Sequence, residues 1–140
     1  MRRVYHRFPQ NVDLDFEVHR PFRDLLRCLQ RLHNTHTTER QEGGLLKRRI
    51  LFQISDGRTQ FVSLDTLPPL EETVSETADF RVDLQETLLT PERRLPVSAN
   101  IFLLRVVDKG PYTECFVAKE GQHGGMDAMN LRTLLKGACE

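Results

Sequence analysis

Polar and apolar residues alternate along much of this chain, and the alternation predicts most of its elements. In "NVDLDFEVH" Val12, Leu14, Phe16 and Val18 alternate with Asp13, Asp15 and Glu17, the period of a strand with one wet face. Pro21 follows, and "PFRDLLRCLQRLH" sets Phe22, Leu25, Leu26, Leu29 and Leu32 at helical spacing, with Arg23, Arg27, Gln30 and Arg31 elsewhere. That spacing predicts an amphipathic helix with proline near its first turn. "HNTHTTERQEGG" is polar and aperiodic, and residues 34–46 are expected to form a flexible surface loop.

The most regular stretch is "KRRILFQISDGRTQFVSLDT", residues 47–66. Ile50, Phe52 and Ile54 share one face, Arg49, Leu51 and Gln53 the other, and Ser55-Asp56-Gly57 hands over to a second run with Val62 and Leu64. Asp-Gly between two alternating runs predicts a hairpin. Residues 65–79 form an acidic insertion, within which "EETVSETAD" opens a short helix or stays a loop. "FRVDLQETLL" alternates again, and "TPERRLP" reads as a turn. "NIFLLRVVD" is nearly all apolar and is expected to be a central strand. "YTECFVAKE" is a further strand, "GQHGG" a loop, and residues 126–140 a C-terminal helix capped by Asp127. Five or six short strands with two helices predict a mainly antiparallel barrel or α+β domain.

With 140 residues, one domain has enough core to fold without metal or disulfide. Cys28, Cys115 and Cys139 are an odd number without CxxC spacing, and the N-terminal "MRRVYHRFPQ" lacks the apolar core of a signal peptide. Reduced thiols and an intracellular location are expected. No apolar run approaches the roughly 20 residues that span a bilayer, so no membrane partner is expected.

Charge balances overall, 20 basic against 20 acidic residues, yet it is polarised. Residues 1–50 hold 11 Lys and Arg against 6 Asp and Glu, and residues 51–140 hold 9 against 14. Eight of those acids lie between Asp65 and Glu92, a segment that would repel a phosphate backbone.

The motifs that carry phosphate, metal or hydrolytic chemistry are missing, and no cofactor is expected. Cys28, His33 and His36 have a C-x4-H-x2-H spacing, but a zinc site needs a fourth ligand and the histidines read as solvated loop residues. An enzyme is not expected. Single-stranded nucleic acid is held by a basic groove with stacking aromatics, and the residues nearest that description are Lys47, Arg48, Arg49, Arg58 and Phe61. On the C-terminal helix, Met129, Leu131, Leu134 and Leu135 offer a docking face for a partner.

The 47–66 hairpin resembles the second and third strands of an OB-fold of the type found in genome-maintenance complexes. It is similar to the N-terminal domain of the large subunit of replication protein A and to the RecQ-mediated genome-instability family. There a basic and apolar strand runs into [ST]-D-G and then a second strand. "GGMDAMNLRTLL" resembles the Gly-Gly and helix that follow the barrel in the second family. Upstream, the likeness would make "LLRCLQRLHN" the first barrel strand, in conflict with its helical period.

The resemblance implies a five- to six-stranded antiparallel OB-like barrel with an N-terminal or inserted helix and a C-terminal helix. It also implies a nuclear, non-enzymatic subunit of a DNA replication, repair or telomere complex. Such a subunit works through contacts with other protein subunits and has auxiliary single-stranded DNA binding. The alternatives are a direct single-stranded DNA or RNA binder and a β-grasp-like α+β adaptor, the latter because "VDLDFEVHRPFRDLLRCLQ" begins as strand then helix.

Overall fold

In the computed structural model, which describes residues 2–120 and 126–140, the chain is mainly β. Among the described residues, seven strands are joined by antiparallel pairing into one sheet curled into a half-barrel, with three helices, consistent with an OB-like barrel. The strands are β1 (Leu14–Val18), β2 (Thr35–Gln41), β3 (Gly44–Ser55), β4 (Phe61–Ser63), β5 (Thr77–Leu89), β6 (Arg94–Asp108) and β7 (Thr113–Glu120). The helices are α1 (Phe22–Leu32), α2 (Leu70–Thr73) and α3 (Ala128–Cys139). Strand order is β1-β7-β6-β5-β3-β2, with β4 beside the end of β3, so β1 and β2 are the two edges. None of the helices among the described residues is long and apolar enough to cross a membrane.

The period-2 pattern explains the concave face. Ile54, Phe80, Leu104, Val117 and Leu14 are successive register partners from β3 to β1, a continuous apolar row. Beside it, Phe52 pairs with Val82 and Val82 with Phe102. Those three are fully buried, as are Leu25, Leu26 and Leu29 of α1 and Leu131 and Leu135 of α3, which cover the face. Burying one such leucine stabilises the fold by about 1.5–3 kcal/mol. Helical spacing therefore prevails over the strand alternative for residues 22–32, with Arg23, Arg27 and Arg31 left on the wet side. Asp127 caps α3 as expected: its Oδ1 accepts from the Asn130 N–H, and Asn130 Oδ1 accepts from the Asp127 N–H.

The expected loop over residues 34–46 is corrected. Most of it is β2, which pairs with β3 from Thr35↔Ile50 to Gln41↔Gly44 around a two-residue turn. Gly43 has φ +88° there, and a side chain at Gly44 would collide with the Leu89 carbonyl of β5. Every residue of β2 is exposed, so the segment carries no apolar alternation to announce it. The hairpin at Ser55-Asp56-Gly57 forms, with β4 only three residues long and a loop of residues 56–60. The acidic insertion expected over residues 65–79 overlaps a 3-10 turn, Leu64–Thr66, holds α2, and gives its last three residues to the start of β5. The expected "GQHGG" loop lies outside the described residues.

The cysteines also correct an expectation. Cys28 of α1 and Cys139 of α3 form a disulfide, Cα to Cα 5.7 Å, and Cys115 is free and buried. Burial pushes the Cys115 thiol up to about 12, which keeps it protonated and inert.

The N-terminal segment crosses the convex face of the sheet. Arg3 bridges to Ala78, and the Tyr5 N–H donates to Asp79 Oδ2 at 2.6 Å. Arg105, the register partner of Asp79, donates Nε and Nη2 to its two oxygens at 2.7 and 2.8 Å, and its Cζ lies 4.3 Å from the centre of the Phe8 ring.

Candidate functional site

Strand alternation splits the hairpin cations. Arg48 shares the concave face with Leu46 and Ile50, whereas Lys47 and Arg49 point to the convex side. Arg48 is held by two carboxylates: Nη1 donates to Glu39 Oε2 at 2.8 Å and Nε to Glu86 Oε2 at 3.1 Å. The first of these bonds is the main reason its pKa is raised further. The other oxygen of Glu86 accepts from Ser98 Oγ at 2.7 Å.

Arg58 lies at the far end of β3. Its N–H donates to Asp56 Oδ1 at 2.8 Å, and its carbonyl accepts from the His6 N–H at 3.0 Å. Phe61 packs on Tyr5 with ring centres 4.7 Å apart. The five residues nominated for nucleic acid are thus spread over three places, and among the described residues no aromatic platform stands beside Lys47 and Arg49.

Other cations join those two. Register pairing runs His36↔Arg49, Thr38↔Lys47, Arg40↔Leu45, Leu45↔Leu89 and Leu89↔Arg94, which places His36, Arg40, Lys47, Arg49 and Arg94 on one convex patch. Arg49 Nε donates to Asn34 Oδ1 at 2.8 Å, and among the described residues no carboxylate is ion-paired with any member of the group. The His36 pKa is lowered, first by desolvation among its neighbours and then by the charges of Lys47, Arg49 and Arg94. Arg40 and Arg94 have no signal of their own in the sequence. The threonines at positions 35, 37 and 38 are the available hint, being residues that favour strands.

On the opposite side of β2, between the sheet edge and α3, lies a groove of about 590 Å³. Its apolar walls come from Leu32, Ile50, Leu84, Met126 and Leu134, and Thr35 and Thr37 form its rim. The expected docking face of the C-terminal helix divides here. Leu131 and Leu135 are fully buried in the protein's own core, Leu134 is half-buried and lines the groove, and Met129 is exposed against Leu14 on the other side.

Ser63, Asp65 and His33 gather beside a polar cleft at the start of β2 and the end of β4. The carboxylate is central: Ser63 Oγ donates to Asp65 Oδ2 at 3.2 Å, and His33 Nε2 lies 3.0 Å from Oδ1. His33 Nδ1 accepts from the Phe52 N–H at 2.9 Å, which fixes the proton on Nε2. A nucleophile needs the imidazole between serine and acid, and here the ring fills a gap in the β3 ladder instead. The side chain is 8% exposed, which corrects the reading of His33 as a solvated loop residue. The Cys28, His33, His36 grouping does not assemble, because Cys28 is in the disulfide and His36 faces the convex side. Among the described residues no three His, Cys, Asp or Glu side chains are placed to hold a metal.

No family model, curated protein or solved structure matches the chain.

Proposed function

We propose that the protein is a non-enzymatic docking subunit that binds another protein through the end of the sheet formed by β2, β3 and α3. The observation that carries this reading is the open apolar groove between an edge strand and the C-terminal helix, the kind of concave, largely apolar surface on which protein segments seat. Single-strand binding is the weaker alternative. Arg48 is neutralised by Glu39 and Glu86, and Phe61 is covered by Tyr5, so the stacking surface that such binding needs has no support.

The genome-maintenance setting rests on the OB-like resemblance alone. Such an assembly is nuclear, where disulfides are rare. The oxidation state of Cys28 and Cys139 in protein drawn from the native cell therefore tests the setting separately from the docking role.

The docking role is tested by cross-linking mass spectrometry on the protein in native extract, together with an oligonucleotide titration at low and moderate salt. Docking gives partner cross-links from Lys47, beside β2, and no retained oligonucleotide at moderate salt. Oligonucleotide binding that falls steeply with salt, with no protein cross-links, would overturn it.

A further inference from the structure

The open edge of β2 has chemistry of opposite kinds on its two sides. Among the described residues no strand and no backbone hydrogen bond takes up that edge. Its concave side adjoins the groove walled by Leu32, Ile50, Leu84 and Leu134, with Arg48, its charge already met by Glu39 and Glu86, at the end toward Glu39. Its convex side adjoins the cations His36, Arg40, Lys47, Arg49 and Arg94.

Successive side chains of a strand point to opposite faces. A strand added at this edge would therefore set every second side chain over the groove and the intervening ones over the cations. We infer that β2 is a β-augmentation site for an extended segment of another protein in which acidic and apolar residues alternate. The inference rests on the docking reading and names its site and the chemistry of its partner.

The ladder geometry defines the contacts. Gln41 and Gly44 flank the two-residue turn, and hydrogen-bonded pairs alternate along an antiparallel ladder. Thr37 and Glu39 thus bond to β3, and the amides of His36, Thr38 and Arg40 face the open edge. Backbone bonds there supply affinity, while the alternating side chains supply selection: glutamate or aspartate opposite the cations, valine or leucine in the groove. Nucleic acid fits only the convex half of this surface.

The chain itself contains such a pattern, Val12 to Val18, but β1 is already paired with β7, and the Glu17 carbonyl accepts from Lys136 Nζ at 2.8 Å. A second copy of the chain is therefore a disfavoured occupant.

The test is a fluorescence titration of the whole protein with a labelled peptide as long as β2 that alternates glutamate with valine or leucine. The expected result is saturable binding, weakened at least about tenfold when the glutamates become lysines and again when the apolar residues become serines. Thr38→Pro removes an outward amide without touching the β3 pairs and should weaken binding by a similar factor, with an unchanged melting temperature. A second variant that keeps the backbone intact is Arg40→Glu with Lys47→Glu, expected to reverse the preference toward the lysine peptide.

Equal binding of the glutamate and lysine peptides, or full affinity in Thr38→Pro, overturns the inference. So does an oligonucleotide that competes fully with the peptide, or self-association blocked by Thr38→Pro. Partner cross-links that persist in Thr38→Pro remove this site while leaving the docking reading intact. Absence of any protein partner removes both.

Discussion

Arg48 and Glu86 face each other across the β3–β5 ladder, joined by a hydrogen bond of 3.1 Å from Nε to Oε2. With Glu39 on its other side, the guanidinium is already neutralised. The most basic run of the sequence therefore offers less to a polyanion than its composition promises. Arg48→Ala is expected to lower stability by about 1 kcal/mol, as befits a partly exposed ion pair, and to leave any oligonucleotide affinity unchanged. Lys47→Ala is expected to do the reverse. Urea denaturation and salt-dependent titration of the two variants check this.

Asp79 is fully buried and receives both arms of Arg105 together with the Tyr5 N–H. Removing one partner of a buried pair leaves the other unsatisfied, at about 3–5 kcal/mol. Asp79→Ala should lower stability by that order and release residues 2–8 from the sheet. Limited proteolysis of the folded variant, read by mass spectrometry, should show cleavage ahead of Val12 that the unmodified protein resists.

The disulfide joins helices 111 residues apart in the chain. Closing so long a loop restricts the unfolded chain, and losing the bond is expected to lower stability by about 2–5 kcal/mol. The double substitution Cys28→Ser with Cys139→Ser measures this. A thiol-reactive dye should label no cysteine in the native protein, Cys115 alone after unfolding without reductant, and all three after unfolding with it.

His36 reports on the convex cations. Its pKa is held below the ordinary histidine value by desolvation and by Lys47, Arg49 and Arg94. The unfolded chain takes the proton first as pH falls, so His36 is neutral to stability above about pH 6.5 and unfavourable below it. In an NMR titration its midpoint should lie below that of a free histidine and rise in Lys47→Ala or Arg94→Ala. An unmoved midpoint would mean that those charges do not face it.

Legibility in the sequence followed burial. Where one side of an element meets the core, as in Leu14 to Val18, Ile50 to Ile54 and Leu25 to Leu32, the apolar period states both the element and its inner face. β2 has no buried side chain and so no period, and this part of the candidate site has the sequence signature of a loop. The Cys28–Cys139 bond depends on how α1 and α3 meet over the sheet, which no local spacing encodes. His33 in the β3 ladder is equally a product of tertiary placement. The charges of Lys47, Arg48 and Arg49 are legible in the sequence. Their division between two faces follows from the same alternation, but the carboxylates that take up Arg48 come from two other strands.

Docking of an extended segment at the open edge of β2 is tested by amide hydrogen exchange on the intact protein with and without the alternating glutamate and valine or leucine peptide. Slowed exchange at His36, Thr38 and Arg40 is predicted, with the Asp56 to Phe61 loop unaffected. Slowing at that loop alone, or no slowing along β2 under saturating peptide, would contradict it.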